Sequence, residues 1–584
     1  MTAEQTKIAE ESHVKAPWLN VYGVVPPHLD YPACTMYEAV ERSAETYPNP
    51  TAYVFMGRKT TYRAMAAEID LCARALKATG VRPGDRITMA MPNCPQAVIM
   101  FYAINLVGAT ANMIHPLSSE KEIEFYLKES GSIFAVTLDQ FYHKFEAIRQ
   151  NVTLDNIILA SIPAALSTPV RVGYMLTEGR KQAKIPKDAP VLRWNEFLRR
   201  GRGYHWTYRV ERRAGDEAVI LYSGGTTGVT KGIQLTNLNF NALGKQIIAT
   251  NPMFRPGDKM LAVMPMFHGF GLGVSIHSML VSGGCCILVP RFTPDSYAKL
   301  LLKYRCNLIA GVPTLYEALL RLPKMKNADL SCLKGVYSGG DSLSVELKKR
   351  FDQFLFDHHA TIQVREGYGL TECVTASCLP PSHISREGSI GIPFPDTYYK
   401  IVEHGTQKEV PYGTEGEICL SGPTVMMGYL HHPEETAQTL QTHEDGLTWG
   451  HTGDLGYMDP DGFVYFRQRL KRMIVTSGYN VYPSQMENIL DAHELVQMSC
   501  VIGVPDPLKM QKVKAFVMLK PGVPANEETK AVLMAYIRKN VAKYALPYDI
   551  EFRAELPKTL VGKVAYRVLE EEELKKLSET AQEQ

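Results

Sequence analysis

Tyr222-Ser223-Gly224-Gly225-Thr226-Thr227-Gly228-Val229-Thr230-Lys231-Gly232 is the stretch on which the reading of this chain turns. Glycines let a backbone approach an anion closely and aim its N–H groups inward. The hydroxyls add donors and Lys231 adds a point charge, so the segment reads as a polyphosphate cradle. A bare flexible linker needs neither the threonines nor the lysine. The phosphate loop of P-loop NTPases needs Gly directly before Lys, then Ser or Thr. Here Thr230 precedes Lys231 and Gly232 follows, so that pattern fails. Glu217 to Tyr222, just ahead, is a short β-prone run that leads into the loop.

Around this loop lies a long chain. At 584 residues it exceeds one ordinary core, and roughly 100–200 residues per domain predicts several structural units. Composition is that of a globular protein, 45% hydrophobic and 21% charged. The 63 basic and 61 acidic residues leave a formal net charge of +2, which gives no electrostatic case for nucleic acid or an anionic membrane as the main partner. Eleven cysteines are scattered without a C-x-x-C pair or zinc-like Cys/His spacing. The odd count and missing framework predict reduced thiols and a cytoplasmic setting. The polar, acidic start Met1-Thr2-Ala3-Glu4-Gln5 lacks the basic and apolar regions of a signal peptide. The longest apolar run, about Ala97 to Pro116, contains Asn105 and Asn112 and reads as a buried helix followed by a strand rather than a membrane span.

Along the first 215 residues helical and strand-like patterns alternate, which argues for α/β layering. Thr60-Thr61-Tyr62 opens a helix to about Gly80, and Gly84-Asp85-Arg86 turns into the strand Ile87–Met91. Lys259 to Met264 and Cys285 to Val289 are further strand-like runs. Gly335-Val336-Tyr337 leads to Gly339-Gly340, and the polar 341–344 stretch opens an amphipathic helix. Glu417 to Leu420 and Phe463 to Phe466 read as β-hairpin material. Arg467, Arg469, Lys471 and Arg472 crowd near 468–472, where a domain boundary is expected.

Three further segments carry chemistry. In Tyr368-Gly369-Leu370-Thr371-Glu372 an aromatic can cover an adenine, a hydroxyl can bind a phosphate oxygen and a carboxylate can hold Mg²⁺; a buried tyrosine in a turn accounts for it equally well. Thr452-Gly453-Asp454 offers a carboxylate for two ribose hydroxyls, and alone is merely a turn. Pro557-Lys558-Thr559-Leu560-Val561-Gly562-Lys563 places a lysine near the chain end, where lysines are ordinarily solvated.

Taken together and in this order, these segments resemble the adenylate-forming superfamily of acyl-CoA synthetases, luciferases and peptide-synthetase adenylation domains. The resemblance runs from about Tyr37 to Leu569. It includes Gly84-Asp85-Arg86, Pro265-Met266-Phe267-His268, Gly388-Ser389-Ile390-Gly391-Ile392-Pro393, Gly416-Glu417-Ile418, Gly422-Pro423 with Met427-Gly428-Tyr429, and Arg469-Leu470-Lys471. Two departures stand out: Gly224 where the family usually has Ser, and Thr230 where it has Pro. Both leave the anion cradle intact and soften the loop.

The resemblance implies an α/β fold: a large N-terminal domain, 1–468, with stacked α/β layers and a β-rich subdomain, and a small mobile α+β C-terminal domain, 469–584, hinged near Lys471. It implies ATP, Mg²⁺ and coenzyme A as cosubstrates and cofactors, with acyl-AMP and pyrophosphate formed first and a thioester second. By motif, Ser223, Gly224, Gly225, Thr226, Thr227, Gly228 and Lys231 would hold the β- and γ-phosphates. Thr371 would hold the α-phosphate and Glu372 the Mg²⁺. Tyr368 would lie against adenine, with Asp454 and Arg469 on the ribose. Lys563 would bridge acyl oxygen and phosphate, and His268 would sit at the mouth of the acyl pocket; a core histidine beside Phe267 is the alternative. Gly340, Asp341, Gly369, Lys471 and Gly478 complete the cofactor-binding set.

The acid is expected to have an uncharged tail. Amino-acid-activating relatives usually place an Asp shortly after the region matching Phe267-His268, whereas Gly269–Ser275 here holds no carboxylate, so an ammonium would be buried unpaired. Glycines beside Phe270 and Leu272, with Gly339, Gly340 and Gly369, are expected to leave an apolar slot. A medium- or long-chain fatty acid is the favoured substrate, and an aryl or cyclic acid the alternative. A carrier-protein phosphopantetheine is the alternative acceptor, and peripheral membrane contact is compatible with a lipid-like acid.

Overall fold

The computed structural model describes residues 14–177, 185–222, 230–476, 479–559 and 562–582. Its first half is organised by two large sheets. One has eight strands in the order Gly428–Tyr429, Gly232–Thr236, Glu217–Tyr222, Thr110–Met113, Arg86–Ala90, Phe134–Leu138, Asn156–Ala160 and Leu192–Arg193. The other has seven, in the order Val364–Glu366, Gly335–Ser338, Leu308–Gly311, Lys259–Ala262, Cys285–Leu288, Thr51–Phe55 and Arg58–Thr61. Most neighbours in both run parallel, joined through helices. Strands covered on both faces read as continuous apolar runs, as in the wholly buried Cys285–Leu288.

One apolar core spans both sheets and their helices. The helix Pro95–Leu106 is buried along its whole length. Asn93, just before it, donates to the carbonyls of Ala262 and Met264 at 3.0 and 2.8 Å, tying the strand Arg86–Ala90 of one sheet to the other sheet. Asn105 donates to Asn237 at 2.7 Å and Asn112 to Thr88 at 2.8 Å, so the amide donors of both residues find partners inside the protein, while Asn112 Oδ1 is buried without one. Reciprocal side-chain caps at Thr35, Ser119, Thr236 and Thr293 fix the starts of four helices.

The expected helix and strand after Thr60 occur as Tyr62–Ala78 and Arg86–Ala90. The expected hairpin strands occur too, in two separate hairpins: Gly416–Ser421 pairs with Tyr398–Val402, and Val464–Arg469 with Thr448–Met458. Gly416–Ser421 and Val464–Arg469 lie in one antiparallel sheet, but the long strand Thr448–Met458 stands between them and pairs with both. That strand carries the polar run Gly450–Asp454, which hides its pairing from an alternation test. A second unforeseen element is the π-helix Phe270–His277, a geometry concentrated at functional sites.

After Arg469 a single 3₁₀ turn, Leu470–Arg472, leads into a last five-stranded sheet. This sheet has a core of its own, including Ile474, Val501, Ile537 and Ile550, and ends in the helix Tyr566–Gln582. All eleven cysteines are unpaired. Among the described residues no helix is long and apolar enough to cross a membrane.

Candidate active site

Lys563 sits on a closed turn. Ala565 N–H donates to the Pro557 carbonyl and Thr559 N–H to the Lys563 carbonyl, each at 2.7 Å. Lys563 N–H donates to Thr559 Oγ1 at 3.1 Å. The turn rests on the seven-stranded sheet: Thr314 Oγ1 donates to the Gly562 carbonyl at 3.0 Å, and Val564 N–H points to Asp341 Oδ2 at 3.4 Å. A Cβ placed on Gly340, whose φ is +83°, would lie 3.3 Å from Lys563 Cε and 3.8 Å from Nζ. The ammonium therefore lies over Gly340. Burial holds the Lys563 amine below the ordinary lysine value; Asp341 and Asp454 oppose that shift and Arg469 adds to it.

His268 faces the same ammonium. Burial, with the Lys563 charge, pushes its imidazole down to about 3, so it is neutral at ordinary pH. Its Nδ1 accepts from Phe270 N–H at 3.1 Å, which leaves the proton on Nε2.

The strand pair 448–458 and 464–469 sets Asp454 directly opposite Arg469. Arg469 Nε lies 3.2 Å from Asp454 Oδ1, and Tyr368 Oη donates to Oδ2 at 2.7 Å. Burial raises Asp454 above the usual aspartate value, against the pull of Arg469. Behind it Gly453 N–H donates to Glu417 Oε1 at 2.9 Å, and His451 Nδ1 lies 3.1 Å from Oε2. Thr371 opens the 3₁₀ turn Thr371–Cys373. Glu372 Oε1 accepts from Tyr429 Oη at 2.9 Å. Lys231 Nζ stands 5.0 Å from the Tyr429 ring centre and 3.4 Å from Glu435. Lys471 joins this basic group: burial lowers its amine, and Lys231, Arg567 and Arg469 lower it further by repulsion.

An apolar pocket opens beside Gly339 and Gly340, walled by Phe270, Val274, Tyr337, Leu379 and Phe394. The slot expected from the other glycines is corrected. A side chain at Gly269 would collide with the Val374 carbonyl, at Gly271 with those of Met264 and Pro265, and at Gly369 with that of Thr375. These glycines make room for neighbouring backbone, not for a ligand. Leu272 is fully buried in the core, and the pocket surface on this segment is Phe270 and Val274.

The structure thus brings His268, Gly340, Asp341, Tyr368, Thr371, Glu372, Asp454, Arg469 and Lys563 around one cleft, with Lys231 and Lys471 at its basic edge. Ser223, Gly224, Gly225, Thr226, Thr227, Gly228 and Gly478 lie outside the described residues. Thr314 and the role of Tyr429 escape a reading of sequence: a threonine at a helix start looks like a cap, and Tyr429 was legible only as part of a motif. Glu372 suits a Mg²⁺ ion, which takes one or two carboxylates and completes its shell with substrate phosphates and water. Among the described residues no cluster of three or more His, Cys, Asp or Glu fit to cage a metal occurs.

Residues 40–430 match the AMP-binding enzyme family and residues 485–563 the AMP-binding enzyme C-terminal domain. A long-chain-fatty-acid–CoA ligase of Bacillus subtilis is 36% identical, over 95% of this chain and 98% of its own length. One from Salmonella typhimurium is 33% identical, over 96% and 98%. Among solved structures, the anthranilate CoA ligase AuaEII in complex with anthranoyl-AMP superposes with a TM-score of 0.79 at 26% identity, covering 93% of this chain and 97% of that one. ATP-bound MatB from Rhodopseudomonas palustris gives 0.78 at 26% identity, covering 92% and 98%. The chain belongs to the AMP-binding enzymes, in their acyl-CoA synthetase branch.

Proposed function

We propose that the protein activates a medium- or long-chain fatty acid with ATP, forming acyl-AMP and pyrophosphate, and then passes the acyl group to coenzyme A. The single observation that carries this reading is the Lys563 ammonium over Gly340, between an apolar pocket and the Tyr368–Asp454–Arg469 group. The fatty-acid–CoA ligases among the relatives support the choice of substrate.

A carboxylate attacks the α-phosphorus only if the repulsion between two anions is relieved and the partners are held in line. Lys563 would bridge the carboxylate oxygen and the α-phosphate, and its partly desolvated charge acts more strongly than it would in water. Thr371 would hold an α-phosphate oxygen. Asp454 would accept from the ribose hydroxyls, kept in place by Arg469, with adenine against Tyr368. Ser223 through Lys231 would hold the departing pyrophosphate. Glu372 would hold Mg²⁺, which when bound neutralises phosphate charge. Neutral His268 would close the carboxylate end of the acyl pocket and offer its Nε2 proton as a donor.

For the second step the thiol of coenzyme A attacks the acyl carbon of acyl-AMP and AMP leaves. That step has no use for Lys563. A division into domains 1–468 and 469–584, hinged near Lys471, would let the lysine withdraw; the separate core of the last sheet supports it. The unpaired cysteines support a cytoplasmic site of action.

The test is pyrophosphate release from ATP with straight-chain, aryl and amino acids, with and without coenzyme A or a phosphopantetheinylated carrier protein. Fatty acids should give acyl-AMP alone and acyl-CoA when coenzyme A is present. Labelled pyrophosphate failing to exchange into ATP with every acid would overturn the reading.

A further inference from the structure

We infer that Tyr337 is the plug that sets how long an acyl tail the pocket accepts; this rests on the fatty-acid reading above. In the strand Gly335–Ser338 alternate residues share a face. Gly339 continues the pairing, its N–H donating to the Gly311 carbonyl at 3.1 Å. Residues 335, 337 and 339 therefore form one row, Gly-Tyr-Gly, of which Tyr337 and Gly339 line the pocket and Gly335 lies beyond it. Gly339 and its neighbour Gly340 mark the carboxylate end, under Lys563. One strand repeat further, about 7 Å, stands the Tyr337 ring, which is part of the pocket wall.

The far glycine explains where the ring goes. A Cβ on Gly335 would lie 2.7 Å from Tyr337 Oη and 2.9 Å from Asn251 Nδ2. The phenol thus lies back over Gly335 and fills the room that its missing side chain leaves. Asn251 Nδ2 donates to Tyr337 Oη at 2.7 Å. The Arg365 guanidinium sits 5.9 Å from the ring centre and is itself fixed by the carbonyls of Pro380 and Thr250 at 2.7 and 2.9 Å. Tyr337 is 4% exposed. Bonded at its tip and packed on its faces, it is a fixed stop rather than a swinging gate. A tail passing Gly339 gains apolar burial against Phe270, Val274 and Phe394 until it meets this ring.

The experiment is kcat/KM against chain length for straight-chain acids, in the wild type and in Tyr337→Ala, Tyr337→Leu, Tyr337→Phe and Gly335→Ala. Each methylene buried should raise kcat/KM about fourfold, and in the wild type the rise should stop at one length. Tyr337→Ala should move that limit to longer acids, improving the favoured longer ones about 100-fold relative to shorter ones. Tyr337→Leu, which keeps the site filled if the alanine variant folds poorly, should move it less. Tyr337→Phe keeps the ring and should leave the limit where it is. Gly335→Ala pushes the phenol into the pocket and should shorten it. A wild-type profile that climbs without a break through the longest acids overturns the proposal with no variant needed. So do Ala and Leu profiles that overlay the wild type, or a Phe variant that shifts as far as Ala. If no acid supports pyrophosphate release, the fatty-acid reading falls instead.

Discussion

The hydroxyl of Thr314 donates to the carbonyl of Gly562, the peptide unit immediately ahead of Lys563. Thr314 lies at the start of the helix Pro313–Leu320, which follows the strand Leu308–Gly311 of the seven-stranded sheet, whereas Gly562 belongs to the turn that follows the last sheet. One side chain in the body of the protein therefore holds the backbone that aims the lysine.

Thr314→Val removes this bond at nearly constant volume. Such a bond contributes about 1 kcal/mol, so acyl-AMP formation should slow about fivefold. Thioester formation from supplied acyl-AMP should not change, and Thr314→Ser should restore the first rate. Equal slowing of both half-reactions would show a general loss of structure instead.

Lys563→Ala should have the same selectivity and a larger size. Loss of a preorganised donor costs on the order of 10²–10³ in rate, read as pyrophosphate release. Acyl-AMP supplied from outside should still be converted to acyl-CoA.

Tyr429 anchors the Glu372 carboxylate, so Tyr429→Phe frees a group proposed to hold Mg²⁺ while keeping the ring under Lys231. The Mg²⁺ concentration for half-maximal activity should rise severalfold, with the KM for the acid unchanged. A shift in the acid KM alone would contradict the assignment.

Glu366 gives a pH signature. Burial pushes its carboxyl up to about 7; the Leu343 N–H and Lys348 oppose this and Asp341 reinforces it. The native chain thus keeps a proton that the unfolded chain, near the ordinary glutamate value, has already released. Between about pH 4.5 and 7 the native state binds more protons, so unfolding free energy falls as pH rises through that window. Glu366→Gln keeps an acceptor for Leu343 and should remove this fall, leaving the variant about 1–3 kcal/mol more stable than wild type above pH 7. Denaturant melts at pH 5 and pH 8 check it.

The cleft was legible in the sequence where a residue's chemistry is unusual for its setting. Asp454, Tyr368 and Lys563 each adjoin a glycine, Glu372 closes the segment that Tyr368 opens, Arg469 belongs to the basic cluster near 468–472, and they converge. Glycines themselves misled. Gly269, Gly271 and Gly369 announce a close approach without naming what approaches, and the neighbour proved to be backbone. The strand Thr448–Met458 was missed because its polar stretch serves the site instead of the core. The floor residue Tyr337 read only as a strand residue, since its partner Asn251 is 86 positions away.

The contact of Gly269 with the Val374 carbonyl reaches beyond this one molecule. Val374 holds a φ of +65°, a strained setting for a β-branched residue, and its oxygen occupies the place that any side chain at 269 would need. The segment 269–275 and the turn bearing Thr371 and Glu372 are in this way steric mates. If the proposed function holds, a new substrate would be reached through Phe270, Val274 or Tyr337 and not through position 269, where a side chain would displace the turn bearing Thr371 and Glu372. Evolution of specificity here has open doors on one side of the pocket and a locked one on the other.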